Sequence, residues 1–205
     1  MASSQGPADL GTPGTASLNC RFCGSTRTST LFHAHDRLHA VPGNFSVLLC
    51  NTCGIRFTHP VPARLSDYYP PDYGPHRESP PPREPRLWSS DQYWLPRLPR
   101  GARILELGCG RGDFLHLASG RGWIPEGVET APAAAHQARQ SGAIVHQRPL
   151  EELTLTSGHY DAIFAWMMLE HTERPDRILG EVARLLKPGG LFIFSVPDAG
   201  SWEWG

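Results

Sequence analysis

The feature that most constrains this chain is a short apolar run that breaks at once into evenly spaced glycines. Ile104-Leu105-Glu106-Leu107 is followed by Gly108-Cys109-Gly110-Arg111-Gly112, and then by Asp113-Phe114-Leu115. The apolar run reads as a short buried strand. Glycines at three alternate positions let the backbone turn sharply and pass close to a ligand, presenting its amides. A helix is expected to begin near Asp113, with that side chain as its cap. A strand, a tight turn and a helix form the first part of a βαβ unit, so the residues that follow should continue the alternation.

They do. Glu126 to Glu129 reads as a second strand, and Pro132 to Gln140 as an alanine-rich helix with proline in its first turn, ended by Gly142. Ala143 to His146, Tyr160 to Trp166 and Leu191 to Val196 read as three more strands. Between the last two, Arg177 to Leu186 places Ile178, Val182 and Leu185 on one helical face, and Lys187-Pro188-Gly189-Gly190 is expected to stop that helix. The fold class is therefore α/β, a Rossmann-like doubly wound sheet spanning 101–205, mostly parallel and covered on both faces.

In such sheets ligands bind beyond the carboxyl ends of the strands, which is where the Gly108 to Gly112 turn lies. Glu129 ends the next strand about twenty residues on, placed to accept both hydroxyl protons of a ribose. A nucleoside-bearing cofactor is the expectation. The spacing argues against a dinucleotide, because the third glycine of Gly-x-Gly-x-x-Gly would fall on Asp113. The plainer alternatives are a tight turn with no ligand and a solvated acid at a strand end. Cys109 reads as a small packed residue rather than a nucleophile, since spacing sets no histidine beside it.

Ahead of this domain, four of the five cysteines form two pairs, Cys20-x-x-Cys23 and Cys50-x-x-Cys53, each followed by a glycine. Two such turns offer four thiolates to one tetrahedral zinc, and the residues between leave room for a hairpin, Leu31 to Leu38 against Asn44 to Leu49. A zinc-ribbon-like module over 18–73 is expected, stapled by metal because so few large apolar groups are present. Free or disulfide-bonded cysteines are the alternative. His33, His35, His39 and His59 are spare ligands or surface histidines.

Two segments look unstructured. Residues 1–17, rich in Ser, Gly, Pro and Ala, read as a disordered tail without the features of a signal peptide, and residues 74–100 as a proline-dense linker. Within the linker, Asp91 to Leu95 forms a helical patch expected to dock its Tyr93, Trp94 and Leu95. Nineteen basic and twenty acidic side chains balance to a net charge of −1, so nothing in the total suggests a nucleic-acid footprint or an attraction to anionic membranes, and neither partner is expected. The apolar runs are far shorter than the roughly 20 residues of a membrane span. A small-molecule substrate and a cytoplasmic location are expected, the latter also from the reduced cysteine pairs.

Glu106-x-Gly108-x-Gly110-x-Gly112, Glu129 and Leu185-Leu186-Lys187-Pro188-Gly189-Gly190 before a strand together resemble the class I S-adenosylmethionine-dependent methyltransferases. The resemblance implies S-adenosylmethionine as cofactor. The Gly108, Cys109 and Gly110 backbone would flank its methionine part, with Glu106 orienting the loop, Glu129 on the ribose and Thr130 beside it. Leu150 would contact the adenine, although Pro149 stands where many relatives carry an acid, and Ala165 and Trp166 would line the methyl-donor side. His171, after the fourth strand, is the candidate general base, because an imidazole with a pKa near about 6.5 suits deprotonating an acceptor. Packing or helix capping near Thr172 is its other reading. Met167 stands at the first position of a Glu-x-x-Glu-His metal motif, so Glu170 and His171 carry no metal role.

The cysteine module followed by Phe57-Thr58-x-Pro60-x-Pro62 and Tyr68-Tyr69-Pro70 resembles bacterial methyltransferases of sugar and polysaccharide pathways, implying a sugar or sugar-nucleotide acceptor. That family closes its sheet with two more strands, whereas nine residues follow Val196 here. The expectation is an incomplete domain with impaired turnover and a free sheet edge open to self-association. Two rivals remain: a non-catalytic zinc-bearing protein that binds the cofactor, and a sugar-nucleotide oxidoreductase.

Overall fold

A computed structural model describes residues 18–37, 41–62, 68, 95–140 and 142–198. By its internal contacts the chain divides into two compact units, Met1–Ala63 and Arg64–Gly205. The tail, most of the proline-dense linker with Tyr93 and Trp94, His39, and Trp202 with Trp204 lie outside the described residues.

The first unit is a three-stranded antiparallel sheet, β1 (Thr28–Ala34), β2 (Phe45–Cys50) and β3 (Arg56–His59), in the order β1-β2-β3. The expected hairpin is present, shifted so that Thr28 pairs with Cys50 and Ala34 with Phe45, and irregular between Thr30 and Phe32. The third strand was not anticipated; four residues of alternating exposure give too little periodicity to read. Each cysteine pair sits on a turn closed by a backbone bond, Gly24 N to Cys20 O at 2.8 Å and Gly54 N to Cys50 O at 2.9 Å.

The second unit carries a five-stranded parallel sheet in the order β6-β5-β4-β7-β8. Its strands are β4 (Arg103–Leu107), β5 (Ile124–Val128), β6 (Ile144–His146), β7 (Tyr160–Trp166) and β8 (Leu186–Ser195), and its helices α1 (Asp113–Gly120), α2 (Pro132–Arg139) and α3 (Pro175–Leu185). The order reverses between β5 and β7 on either side of β4, which opens a crevice at their carboxyl ends. Successive residues of β4 face opposite layers. Leu105 and Leu107 join Tyr160, Ile163 and the Ile178, Val182, Leu185 face of α3; Ile104 joins Phe114, Trp123 and Phe164. Burying those three α3 side chains contributes about 1.5–3 kcal/mol each.

Three local expectations need correction. Asp113 is not the cap of α1 but its first residue; Gly112, at φ 86°, is the cap, and the Asp113 carboxylate accepts a hydrogen bond from Arg111 at 3.1 Å. Lys187-Pro188-Gly189-Gly190 does not precede the last strand but lies within it. Tyr160 pairs with Leu186 and Ala162 with Leu191, so the four residues bulge out of the ladder, and Lys187 Nζ reaches Asp161 at 2.7 Å. Leu95 is not helical, yet it is buried against Ala102 and Ile104, as docking required. No helix among the described residues is long and apolar enough to cross a membrane.

Candidate functional site

The turn after β4 is tied to the end of β5. Gly108 N and Cys109 N both donate to Val128 O, at 2.8 and 3.0 Å, and Gly112 N donates to Cys109 O at 2.9 Å. Glycine is required at two of these positions. A Cβ on Gly112 would sit 3.0 Å from the Ala138 Cα of α2, and one on Gly108 would sit 2.7 Å from Met168 Cγ, in both cases with φ positive.

Glu129 follows β5 directly and is buried, 7% exposed. Its Oε2 accepts from Gly110 N at 2.9 Å and its Oε1 from Ala131 N at 2.8 Å. The carboxylate thus locks the glycine turn to the start of α2. An ionised carboxyl has about four acceptor positions, so two remain after these bonds.

A cavity of about 1130 Å³ opens at these strand ends. Of the residues expected from sequence, Gly108, Gly110, Glu129, Thr130, Leu150, Trp166 and His171 line it. Leu150 is buried on a short 3₁₀ turn, and His171 stands on another that follows β7, half-exposed, its Nε2 3.9 Å from Glu170 Oε1. Glu106, Cys109 and Ala165 are not among the lining residues. Ala165 packs in the core with Leu105 and Leu107, and Cys109 packs against Leu115 and Ala135, where burial pushes its thiol pKa well up, an inert rather than a reactive setting.

Glu106 is 4% exposed, and its Oε2 has no hydrogen-bond partner; burial, then the charges of Asp113 and Glu129, hold its carboxyl well above the usual range. The buried Nε1 of Trp166 likewise lacks a partner. The unpaired Trp166 Nε1 at the cavity, an acid with spare acceptor positions and a glycine-rich turn fit a ligand that carries a ribose.

Sequence reasoning missed Met167, Met168, Arg174 and Arg177, which also line the cavity. Met167, at φ 47°, holds the chain in a sharp turn after β7, its N–H donating to Ser195 O at 3.0 Å. In sequence Met167 and Met168 follow the expected strand end at Trp166 with no chemistry that marks them as lining residues. The available signal was position alone, since loops at the carboxyl ends of parallel strands converge on the crevice.

In the first unit the four thiol sulfurs of Cys20, Cys23, Cys50 and Cys53 lie within 4.8 Å of one another, with Cys20 to Cys53 at 3.7 Å and Cys23 to Cys50 at 3.6 Å. Disulfides would need about 2.05 Å. A tetrahedral zinc with bonds of about 2.3 Å spaces its sulfurs by about 3.8 Å, so the cluster could hold that ion. The Cys53 amide leads in lowering the Cys50 thiol to about 6, which favours a thiolate there. No histidine joins the cluster among the described residues, and His33 instead contacts Ser46 Oγ at 3.0 Å.

Residues 85–204, more than half of the chain, match a protein family described as Methyltransferase domain. The ubiquinone biosynthesis O-methyltransferase of Bordetella avium is 36% identical over 103 residues, 47% of this chain and 43% of that protein. The protein of the same description from Sodalis glossinidius is 32% identical over 111 residues, 51% of this chain and 45% of that one. The chain thus spans less than half the length of these curated relatives. A solved S-adenosylmethionine-dependent methyltransferase from Mesorhizobium loti is 29% identical at a TM-score of 0.49, covering 53% of this chain and 52% of that one.

Proposed function

The chain belongs to the methyltransferase domain family, and from that premise we propose that it binds S-adenosylmethionine at the Gly108 to Gly112 turn and transfers its methyl group to an oxygen of a small molecule. The observation that carries this reading is Glu129, buried at the cavity rim with both oxygens on backbone amides and acceptor positions to spare. Those positions would take the ribose hydroxyls, with Thr130 beside them. The Gly108, Cys109 and Gly110 backbone would flank the methionine part, Leu150 the adenine, and Trp166 the methyl-donor side. The bound cofactor supplies an electrophilic methyl on a sulfonium. His171 would hold the acceptor's proton at Nε2, since it reaches the cavity from the loop after β7.

Oxygen as the acceptor atom follows the relatives' description. The sugar class implied by the cysteine module gains no support from those relatives and becomes one arm of the assay. Domain limits at 18–73, 74–100 and 101–205, one zinc on the four cysteines, a cytoplasmic setting and self-association through β8 complete the proposal.

Calorimetry with S-adenosylmethionine tests the central claim. Glu129→Ala removes a charged acceptor and the lock on Gly110, and should weaken binding about 10- to 100-fold. Equal affinity in wild type and variant would overturn the assignment. A methyl-transfer assay with a catechol and a nucleotide sugar then separates acceptor classes, and turnover retained in His171→Ala would remove that residue's role. Binding without transfer to any acceptor would favour a non-catalytic protein, and saturable binding of a nicotinamide dinucleotide would favour the oxidoreductase.

A further inference from the structure

Glu106, buried on β4 just before the glycine turn, is an acid whose chemistry the proposed function does not use. Its side chain points to the α1 layer, on the opposite face of β4 from Leu105 and Leu107. It is 4% exposed, and Oε2 has no partner. The charged and titratable groups around it are mostly acidic. Glu129 follows β5, and α1 begins with Asp113, whose carboxylate is held by Arg111 of the turn, and carries His116 one turn later. From β7 the facing residues are Phe164 and Trp166, which carry no charge, while Asp161 is occupied by Arg103 N and Lys187 at the opposite end of the strand. Glu126 faces the other layer, where it accepts from Tyr160 and contacts His146. No hydrogen-bond donor therefore reaches Glu106 Oε2 from the protein.

A buried carboxyl in such surroundings keeps its proton, because the charged form would be desolvated and repelled by its neighbours. A cation arriving at the turn favours the charged form by attraction and so offsets these costs. S-adenosylmethionine carries a sulfonium, an ammonium and a carboxylate, net one positive charge. The demethylated product lacks the sulfonium and is neutral overall.

We propose that Glu106 is a charge-specificity residue: it is protonated in the ligand-free site and gives up its proton to solvent when the cationic methyl donor binds, and does so less for the neutral product. The inference rests on the cofactor reading above. It provides a reason for an acid where a glutamine would pack equally well: the site strengthens its hold on the charged donor and relaxes once the methyl has left. Protons balance, with up to one released per donor bound and taken up again as the product leaves.

The test is calorimetry of the whole chain with S-adenosylmethionine and with S-adenosylhomocysteine at neutral pH, in phosphate and in Tris, which differ widely in heat of ionisation. Wild type should show a buffer-dependent heat for the donor, a smaller one for the product, and Glu106→Gln should lose it while still binding. Infrared difference spectra supply a reading that does not depend on the variant's folding. A protonated carboxyl band in the ligand-free wild type should disappear on saturation with the donor. Binding with equal heats in the two buffers, or a band unchanged by the donor, overturns the proposal alone. No binding of either ligand overturns the cofactor reading and this inference together.

Discussion

Glu106 and Glu129 stand at the ends of neighbouring strands, both buried, and differ in their supply of hydrogen-bond donors. Glu129 has the amides of Gly110 and Ala131; the Oε2 of Glu106 has none. The difference predicts a pH signature. Folded Glu106 keeps its proton at a pH where the unfolded chain has lost it, so the folded state binds more protons there, and stability falls as pH rises from near 4.5 towards the raised value. Glu106→Gln lacks that titration. Its Tm should exceed that of wild type at pH 8, and the gap should close as pH falls to 4.5. A gap independent of pH would mean that Glu106 is charged when buried. Gly127 shows how tightly the same corner is packed. An added Cβ would meet Cys109 Sγ at 2.6 Å and Leu115 Cδ1 at 2.9 Å, so Gly127→Ala should cost about 1–3 kcal/mol in denaturant unfolding.

At the scale of elements, β8 is the longer of the two edge strands of the five-stranded sheet. Among the described residues β8 pairs with β7 alone, while Leu191, Phe194 and Val196 are exposed, Phe194 at 51%. A ten-residue strand whose outer edge is unpaired among the described residues, with apolar side chains, would offer a template for the proposed pairing with a second copy. Sedimentation should show association that grows with concentration, and Phe194→Lys should reduce it several-fold; identical behaviour of the two proteins would locate any association elsewhere. The turn after β4 is the opposite case, an element held at both ends. Gly112→Ala forces a side chain onto the Ala138 backbone at 3.0 Å with φ at 86°, and should loosen α1 against α2 and lower cofactor affinity. Unchanged calorimetry and an unchanged Tm would show that the turn tolerates the strain.

Over the whole molecule, the two units depend on different forces. The second buries its strands between helices, whereas among the described residues of the first the buried side chains are Leu48, Cys20 and Cys50. Such a unit would depend on the zinc proposed for its four cysteines. Chelation, or Cys50→Ser, should abolish amide protection across 28–59 in hydrogen exchange while protection across 103–107 and 160–166 persists and the cofactor still binds. Loss of protection in both units at once would mean that they fold cooperatively, and retention in the first would exclude a structural zinc.

Periodicity and spacing carried far in this chain. Tyr160 to Trp166 has the bounds expected from its apolar run, Ile178, Val182 and Leu185 form the buried face of α3, and the two Cys-x-x-Cys pairs come together in space. These features are local or repeat at a fixed interval, so the chemistry of consecutive residues suffices to find them. Glu129 was legible for the same reason, as an acid at a strand end a set distance from a glycine turn. The remainder depended on which strands lie side by side. Pairing with β7 draws Lys187-Pro188-Gly189-Gly190 into a bulge of β8, since Lys187 can reach Asp161 only from within the ladder. Packing sets Met168 over Gly108 and leaves Ala165 in the core, away from the cavity. The isolation of Glu106 follows from surroundings assembled out of β5, β7 and α1. Its sequence neighbours Leu105 and Leu107 face the other layer, so no local pattern could report whether a donor would reach it.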